Sequence, residues 1–371
     1  MQLSYWEKKR FFDGIDVAII GSGIVGLSAA IELKRTAPNK KIVVLERGFL
    51  PYGASTRNAG FACFGSITEL EEDLLSVGEQ ETFALVERRY KGLVNLRQLL
   101  GDHSIGLERK GGYEVFSSEE EWEKARTRIP YFNQLLANGI GEKVYSEFTS
   151  LESQFGFSGF KGAILNQFEA QIDTGEMMAN LLRLAQKEGI IILNGIQVED
   201  LDGQRIITRD FDFKVGQVLI TTNGFARQLI PELNVDPARA QVLVTEEIPG
   251  LKLEGTFHYQ KGYYYFRNIG KRILLGGGRN LDFEGEKSTE MIQTSRIQEA
   301  LEELLYQHII PYEKPNIEMR WSGVMGVGEK RSPIVKQLNA HQFCAVRMGG
   351  MGVAIGTLVG KDIATLMLSA N

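Results

Sequence analysis

Apolar residues fall into short unbroken runs toward both ends of the chain and into alternating, aromatic-rich stretches between them. Residues 15–20 (IDVAII) form a β-branched run that predicts a buried parallel strand. GSGIVG follows at 21–26, and then Leu27, Ala30, Ile31 and Leu33 recur at helical spacing until Pro38 and Asn39 break the pattern. KIVVLE at 41–46 predicts a second strand, completing a βαβ unit. Residues 48–66 show no period and read as a small-residue loop. The pattern is helical and charged over 69–100, and helical again near 119–138 and over 173–189, with strands at 189–202 and 213–224. After Pro231 the segments QVLVTEEI, YYYFRNIGKRILLGG and NIEMRWSGVMG alternate like antiparallel strands, with NIGK (268–271) as a hairpin turn. A helix is predicted over 288–308, and 342–368 reads as strand, glycine turn and buried helix.

These elements predict a fold that combines α/β and antiparallel β. A discontinuous Rossmann-like dinucleotide domain would comprise residues 1–80, 160–232 and 322–371. An inserted antiparallel-sheet substrate domain would comprise 81–159 and 233–321. A length of 371 residues suits two such units.

Composition narrows the class. A net charge of -5 offers no general basic surface, so no nucleic-acid partner is expected. Only two cysteines, Cys63 and Cys344, are present, far apart in sequence. They predict a reducing compartment, and the four scattered histidines give no metal-ligand spacing. Charges interrupt the first twenty residues, and no long uncharged apolar window is present. No signal peptide, no transmembrane segment and a cytoplasmic location are therefore expected.

The chemistry starts at GSGIVG. Gly21 permits the tight turn, Gly23 lets backbone approach a pyrophosphate, and Gly26 lets the helix pack on the sheet. The N–H groups of the helix start, at Ile24 and Val25, face such a phosphate. Glu46, followed by Arg47, lies at the end of the second strand, where a carboxylate accepts from ribose hydroxyls and repels a 2′-phosphate. FAD or NAD is left.

ASTRNAG at 54–60 resembles the loop of the D-amino-acid-oxidase-like FAD family, which includes glycine, sarcosine and γ-glutamylputrescine oxidases. SYWE (4–7), TTNG (221–224), RWSG (320–323) and RMGGMGV (347–353) are similar to further family segments in the same order. The resemblance implies non-covalent FAD. Its contacts would include Ser55, Thr56, Arg57, Asn58, Ala59 and Gly60 in the loop, and Val198, Thr222, Asn223 and Gly224 in the middle of the chain. Near the C-terminus they would include Gly323, Gly349, Gly350, Met351, Gly352 and Val353. It also implies oxidation of a C–N bond in an amine or amino acid by hydride transfer to flavin N5, with no obligatory protein acid or base.

One departure stands out. Met325 occupies the place where glycine-oxidase-like members carry a carboxylate-binding arginine. Arg267, at the end of YYYFR, is a candidate replacement, although the same residue fits a strand end facing water. Lys330 and Arg331 are others, and adjacent charges in a turn are more often solvated. Tyr263 and Tyr265 would share one strand face, available either to the substrate or to sheet packing. Three readings stay open: amine or amino-acid oxidation, a 2-hydroxy-acid dehydrogenase, and a non-catalytic flavoprotein. The sequence names neither the electron acceptor nor the substrate.

Overall fold

The computed structural model describes residues 2–370. The β-branched runs form a parallel sheet because both of its faces are covered. Its strand order is Ile334–Gln337, Gln342–Val346, Asp212–Ile220, Ile15–Ile20, Ile42–Glu46 and Ile191–Asn194. Neighbours are parallel except at the Ile334–Gln337 edge. A hairpin, Val198–Asp202 and Arg205–Thr208, extends antiparallel from Asp212–Ile220.

Helices Ile24–Thr36, Thr174–Lys187 and Gly352–Ser369 bury one face of this sheet through Leu27, Ile31, Leu181 and Ile363. Phe12, Ile230 and Leu233 cover the other. Among the described residues, Gly352–Ser369 is the one helix long and apolar enough to cross a membrane. Most of its apolar residues are buried, and the helix packs against Ile24–Thr36 and Glu79–Leu100.

The alternating segments build a second sheet. Its order is Ile317–Val327, Asp236–Thr245, Arg272–Gly277, Tyr264–Ile269, Thr256–Tyr259, Gly112–Phe116, Gly162–Asn166 and Tyr145–Phe148. Neighbours are antiparallel except Thr256–Tyr259 with Gly112–Phe116. The NIGK hairpin is present, with Ile269 opposite Arg272. Helix Ser295–Leu304 closes the outer face over Phe257, Phe266 and Leu275.

The sheets cross the expected domain boundaries in two places. Gly162–Asn166 belongs to the second sheet, although residue 160 was expected to begin a dinucleotide segment. Ile317–Val327 runs through the 321/322 boundary, paired with Asp236–Thr245 along its length. Short apolar strands carry no local mark of the sheet they join.

Three elements also differ in extent. The 119–138 helix is two, Glu119–Arg126 and Ile129–Leu136, with Pro130 fitting the first turn of the second. The helix expected from 288 starts at Ser295. Glu286 is held by a buried bidentate pair with Arg239 (2.9 and 2.8 Å), and Thr294 N–H donates to Gln241 Oε1 (2.9 Å). Tyr263 lies one residue before its strand.

Candidate active site

The two sheets enclose a cavity of about 500 Å³ at the C-terminal ends of the parallel strands, the usual ligand position in an open α/β sheet. Gly21 (φ 104°) turns the chain at the end of the first strand. A Cβ on Gly26 would stand 2.1 Å from Gly21 O, so the helix can start here only on glycine. Gly21, Gly23, Ile24 and Val25 line the cavity, while Gly26 packs behind them. Ser55 accepts the Ile24 N–H (3.0 Å), pinning the loop to the helix start.

Glu46 is buried and lines the cavity. Ser22 N–H and Oγ–H donate to its Oε2 (3.1 and 2.8 Å), and Gly48 N–H donates to Oε1 (3.0 Å). The acid is thus fixed at the strand end with acceptor capacity remaining. Arg47 lies over the Phe225 ring, 4.0 Å from its centroid. Arg57 donates to Ser322 O (3.0 Å) and, through its own carbonyl, accepts from Trp321 Nε1 (3.0 Å), tying the loop to the second sheet. Asn58 spends its amide inside the loop, on Ala54 O, Ser55 O and Gly60 N. Ala59, Val198, Thr222, Asn223, Gly323 and Gly349 to Val353 also line the cavity.

Thr56, Gly60 and Gly224 do not line it. Thr56 Oγ1 donates to Pro51 O (2.7 Å), whereas Cβ atoms on Gly60 and Gly224 would meet Ile172 O and Met325 O at 2.4 Å. These three shape the wall from behind.

The residues fit a dinucleotide. Thr222 Oγ1 is a buried polar atom without a protein partner, facing this space. Main-chain N–H groups and the N-termini of Ile24–Thr36 and Gly352–Ser369 converge on the same space, as anionic groups require.

Phe61, Tyr263, Tyr265 and Met325 give the cavity an apolar wall. Tyr265 meets Phe61 edge-on at 5.8 Å, and burial pushes its phenol up to about 12, so it remains a neutral hydrogen-bond donor. Tyr264 points into the aromatic core instead.

Arg267 does not reach the cavity, nor does it face water. It is buried, donating to Ile172 O (2.9 Å) and Gly60 O (3.3 Å), and burial lowers its pKa to about 10. Its side chain ties the end of the 54–60 loop to Ile172, so it is a tether and not a substrate clamp. Arg331 does line the cavity, but it is paired with Glu72 (2.8 Å) and Asp73 (3.0 Å). Lys330 lines it as well.

Sequence spacing missed two features. Arg279 lines the cavity beside Tyr263, with its guanidinium 4.9 Å from the Phe283 centroid; burial lowers its pKa. No carboxylate among the described residues lies within ion-pair distance of it. The signal lay in the paired glycines before it: Gly277 (φ 123°) and Gly278 (φ 77°) turn the strand end inward, and a Cβ on Gly277 would stand 2.0 Å from Tyr263 O. The second feature is a buried cluster of Cys63, Glu169 and His258, whose side-chain donor atoms lie within 4.8 Å of one another. Nearly 200 residues of sequence hide it.

A Rossmann-like sheet whose glycine turn and strand-end carboxylate open onto a cavity walled by an antiparallel sheet defines a dinucleotide-dependent enzyme class. The family model described as "FAD dependent oxidoreductase" matches residues 16–366, and the chain belongs to that family. It is 24% identical over 374 residues to a glycine oxidase of Geobacillus kaustophilus, covering 95% of this chain and 92% of that one. It is 22% identical to a probable oxidoreductase, OrdL, of Haemophilus influenzae, covering 95% of this chain and 83% of the relative. Its fold is similar to the crystal structure of glycine oxidase from Bacillus cereus, with a TM-score of 0.77 at 17% identity, covering 96% and 98% of the two chains. The protein is an FAD-dependent oxidoreductase, and FAD is its cofactor.

Proposed function

We propose that this enzyme oxidises a carbon–nitrogen bond of an amine or amino acid. The observation that carries the reading is the aromatic lining of Tyr263, Tyr265 and Phe61 in the same cavity as the glycine turn, beside an unpaired arginine. Bound FAD would supply the two-electron acceptor. The protein holds the substrate and excludes water around it, the two contributions that orientation and desolvation make. Tyr265 donates a hydrogen bond, and the aromatic faces attract a cationic nitrogen.

Arg279 takes the part that Met325 cannot, binding a substrate carboxylate. Its lack of a protein counter-ion supports this role, since a half-buried guanidinium without a partner is costly until an anion arrives. The similarity to proteins named as glycine oxidases supports the same substrate class.

The test is anaerobic mixing of the purified flavoprotein with a panel of amines, amino acids and 2-hydroxy acids, followed by the loss of flavin colour. Bleaching by an amine or amino acid is expected. Bleaching by 2-hydroxy acids alone would replace this reading with the hydroxy-acid one.

A further inference from the structure

Behind the aromatic wall His258 separates the main cavity from a second space and lines both. This inner chamber, about 10 Å³, has room for about one water. Glu114, Tyr145, Asn166 and Glu169 enclose it together with His258. His258 and Asn166 are 6% and 3% exposed, yet His258 Nε2 and Asn166 Nδ2 make no hydrogen bond within the protein, Nε2 lying only within ion-pair distance of Glu169. Two orphaned polar atoms around a space of that size are the setting in which buried water is found.

The carboxylate beside them is deliberately housed. Glu169 Oε1 accepts Phe64 N–H (3.1 Å) and Gly65 N–H (3.4 Å), and its Oε2 lies 3.6 Å from His258 Nε2. A Cβ on Gly112 would stand 2.1 Å from that Oε2, so the strand is bare where the carboxylate sits. Glu114 accepts from the Thr68 hydroxyl, which is partly exposed at the start of helix Ile67–Val77.

We propose that His258, oriented by Glu169, and a single water in the inner chamber form a proton path from the substrate nitrogen to Glu114. The proposal rests on the amine reading above. An ammonium nitrogen has no lone pair with which to form a C=N bond, so one N–H proton must leave before the carbon–hydrogen bond breaks. That proton passes to the imidazole, from Nε2 to the water, and from the water to Glu114. Two electrons leave with the carbon-bound hydrogen to the cofactor, so the path carries a proton only.

The electrostatics bear on both ends of this path. Burial raises Glu114 to about 7, where a carboxyl exchanges protons near neutrality. Against the cost of burial, Cys63 first and then Glu169 raise the His258 imidazole. The other ionisable groups facing the cluster are Cys63 and Tyr145, both raised by burial, with Glu69 and Arg89 beside them. Tyr145 donates to Gly65 O (2.6 Å) and stays a phenol.

The chain is tested with and without FAD. In the cofactor-free protein, infrared titration should show a carboxylic C=O band that ionises near neutral pH and is missing from Glu114→Gln. In the holoenzyme, the pH profile of flavin reduction by the fastest amine donor should lose its near-neutral inflection in Glu114→Gln. His258→Asn should slow reduction about 100-fold, with FAD affinity unchanged in both variants. A wild type reduced by amines, with an unaltered Glu114→Gln profile or no such infrared band, overturns the path alone. A wild type that no amine or amino acid reduces overturns the path and the function reading together.

Discussion

Arg267 and Arg279 lie twelve positions apart and do different work, which no local pattern distinguishes. Arg267 is buried and engaged by two carbonyls; Arg279 lines the cavity without a counter-ion. Arg279→Met should weaken amino-acid donors about 10- to 100-fold, the loss of one charge-assisted hydrogen-bonded pair. Simple amines should be unaffected, so comparing donor dissociation constants from anaerobic titrations separates the two. Arg267→Met leaves Gly60 O and Ile172 O without that donor and should lower stability by about 2 kcal/mol. Thermal unfolding measures the loss, and weaker FAD binding should accompany it because Gly60 closes the loop whose residues 54, 55 and 57–59 line the cavity.

Glu114 gives a further expectation at this scale. Its folded pKa is about 7 against an ordinary 4.5, so the folded state retains a proton that the unfolded chain has released. Stability therefore falls as pH rises from about 4.5 to 7, by a few kcal/mol at most. Glu114→Gln should flatten that fall and be the more stable protein above pH 7. Denaturant unfolding across pH would show it, and parallel curves for the two proteins would refute it.

At the scale of elements, the site depends on two helix starts held side by side. Gly352–Ser369 lies so close to Ile24–Thr36 that a Cβ on Gly360 would stand 2.6 Å from Ser28 Cβ and 2.8 Å from Ala29 N. Gly360→Leu should force the helices apart and lower stability by about 3 kcal/mol or more. Because both N-termini face the cavity, the same variant should bind FAD more weakly, as equilibrium dialysis would measure. The first βαβ unit was legible because strand, glycine turn, helix and acidic strand end are contiguous in sequence. Gly162–Asn166 was not assigned to its sheet, because the partner that joins it to the rest of that sheet lies about fifty residues upstream and its five residues look the same in either sheet.

For the whole molecule, the discontinuous arrangement follows from bringing both ends of the chain to one cavity. Gly21, Thr222 and Gly350 meet there from three distant segments. Most of the residues the sequence assigned to the cofactor do line the cavity, and the order of the glycine turns carried that reading. On the substrate side it carried little: Tyr263, Tyr265, Met325 and Arg331 do line the cavity, but Arg279 and His258 gain their positions only from strand pairing.

The most direct measurement of the central claim is a single-turnover experiment without oxygen, counting product against flavin. Mixed with an amine or amino-acid donor, the holoenzyme should yield one equivalent of imine-derived carbonyl, with the released nitrogen as ammonia or amine, for each flavin reduced. Flavin that stays oxidised with every nitrogen donor, or that is reduced without any carbonyl product from them, would contradict it.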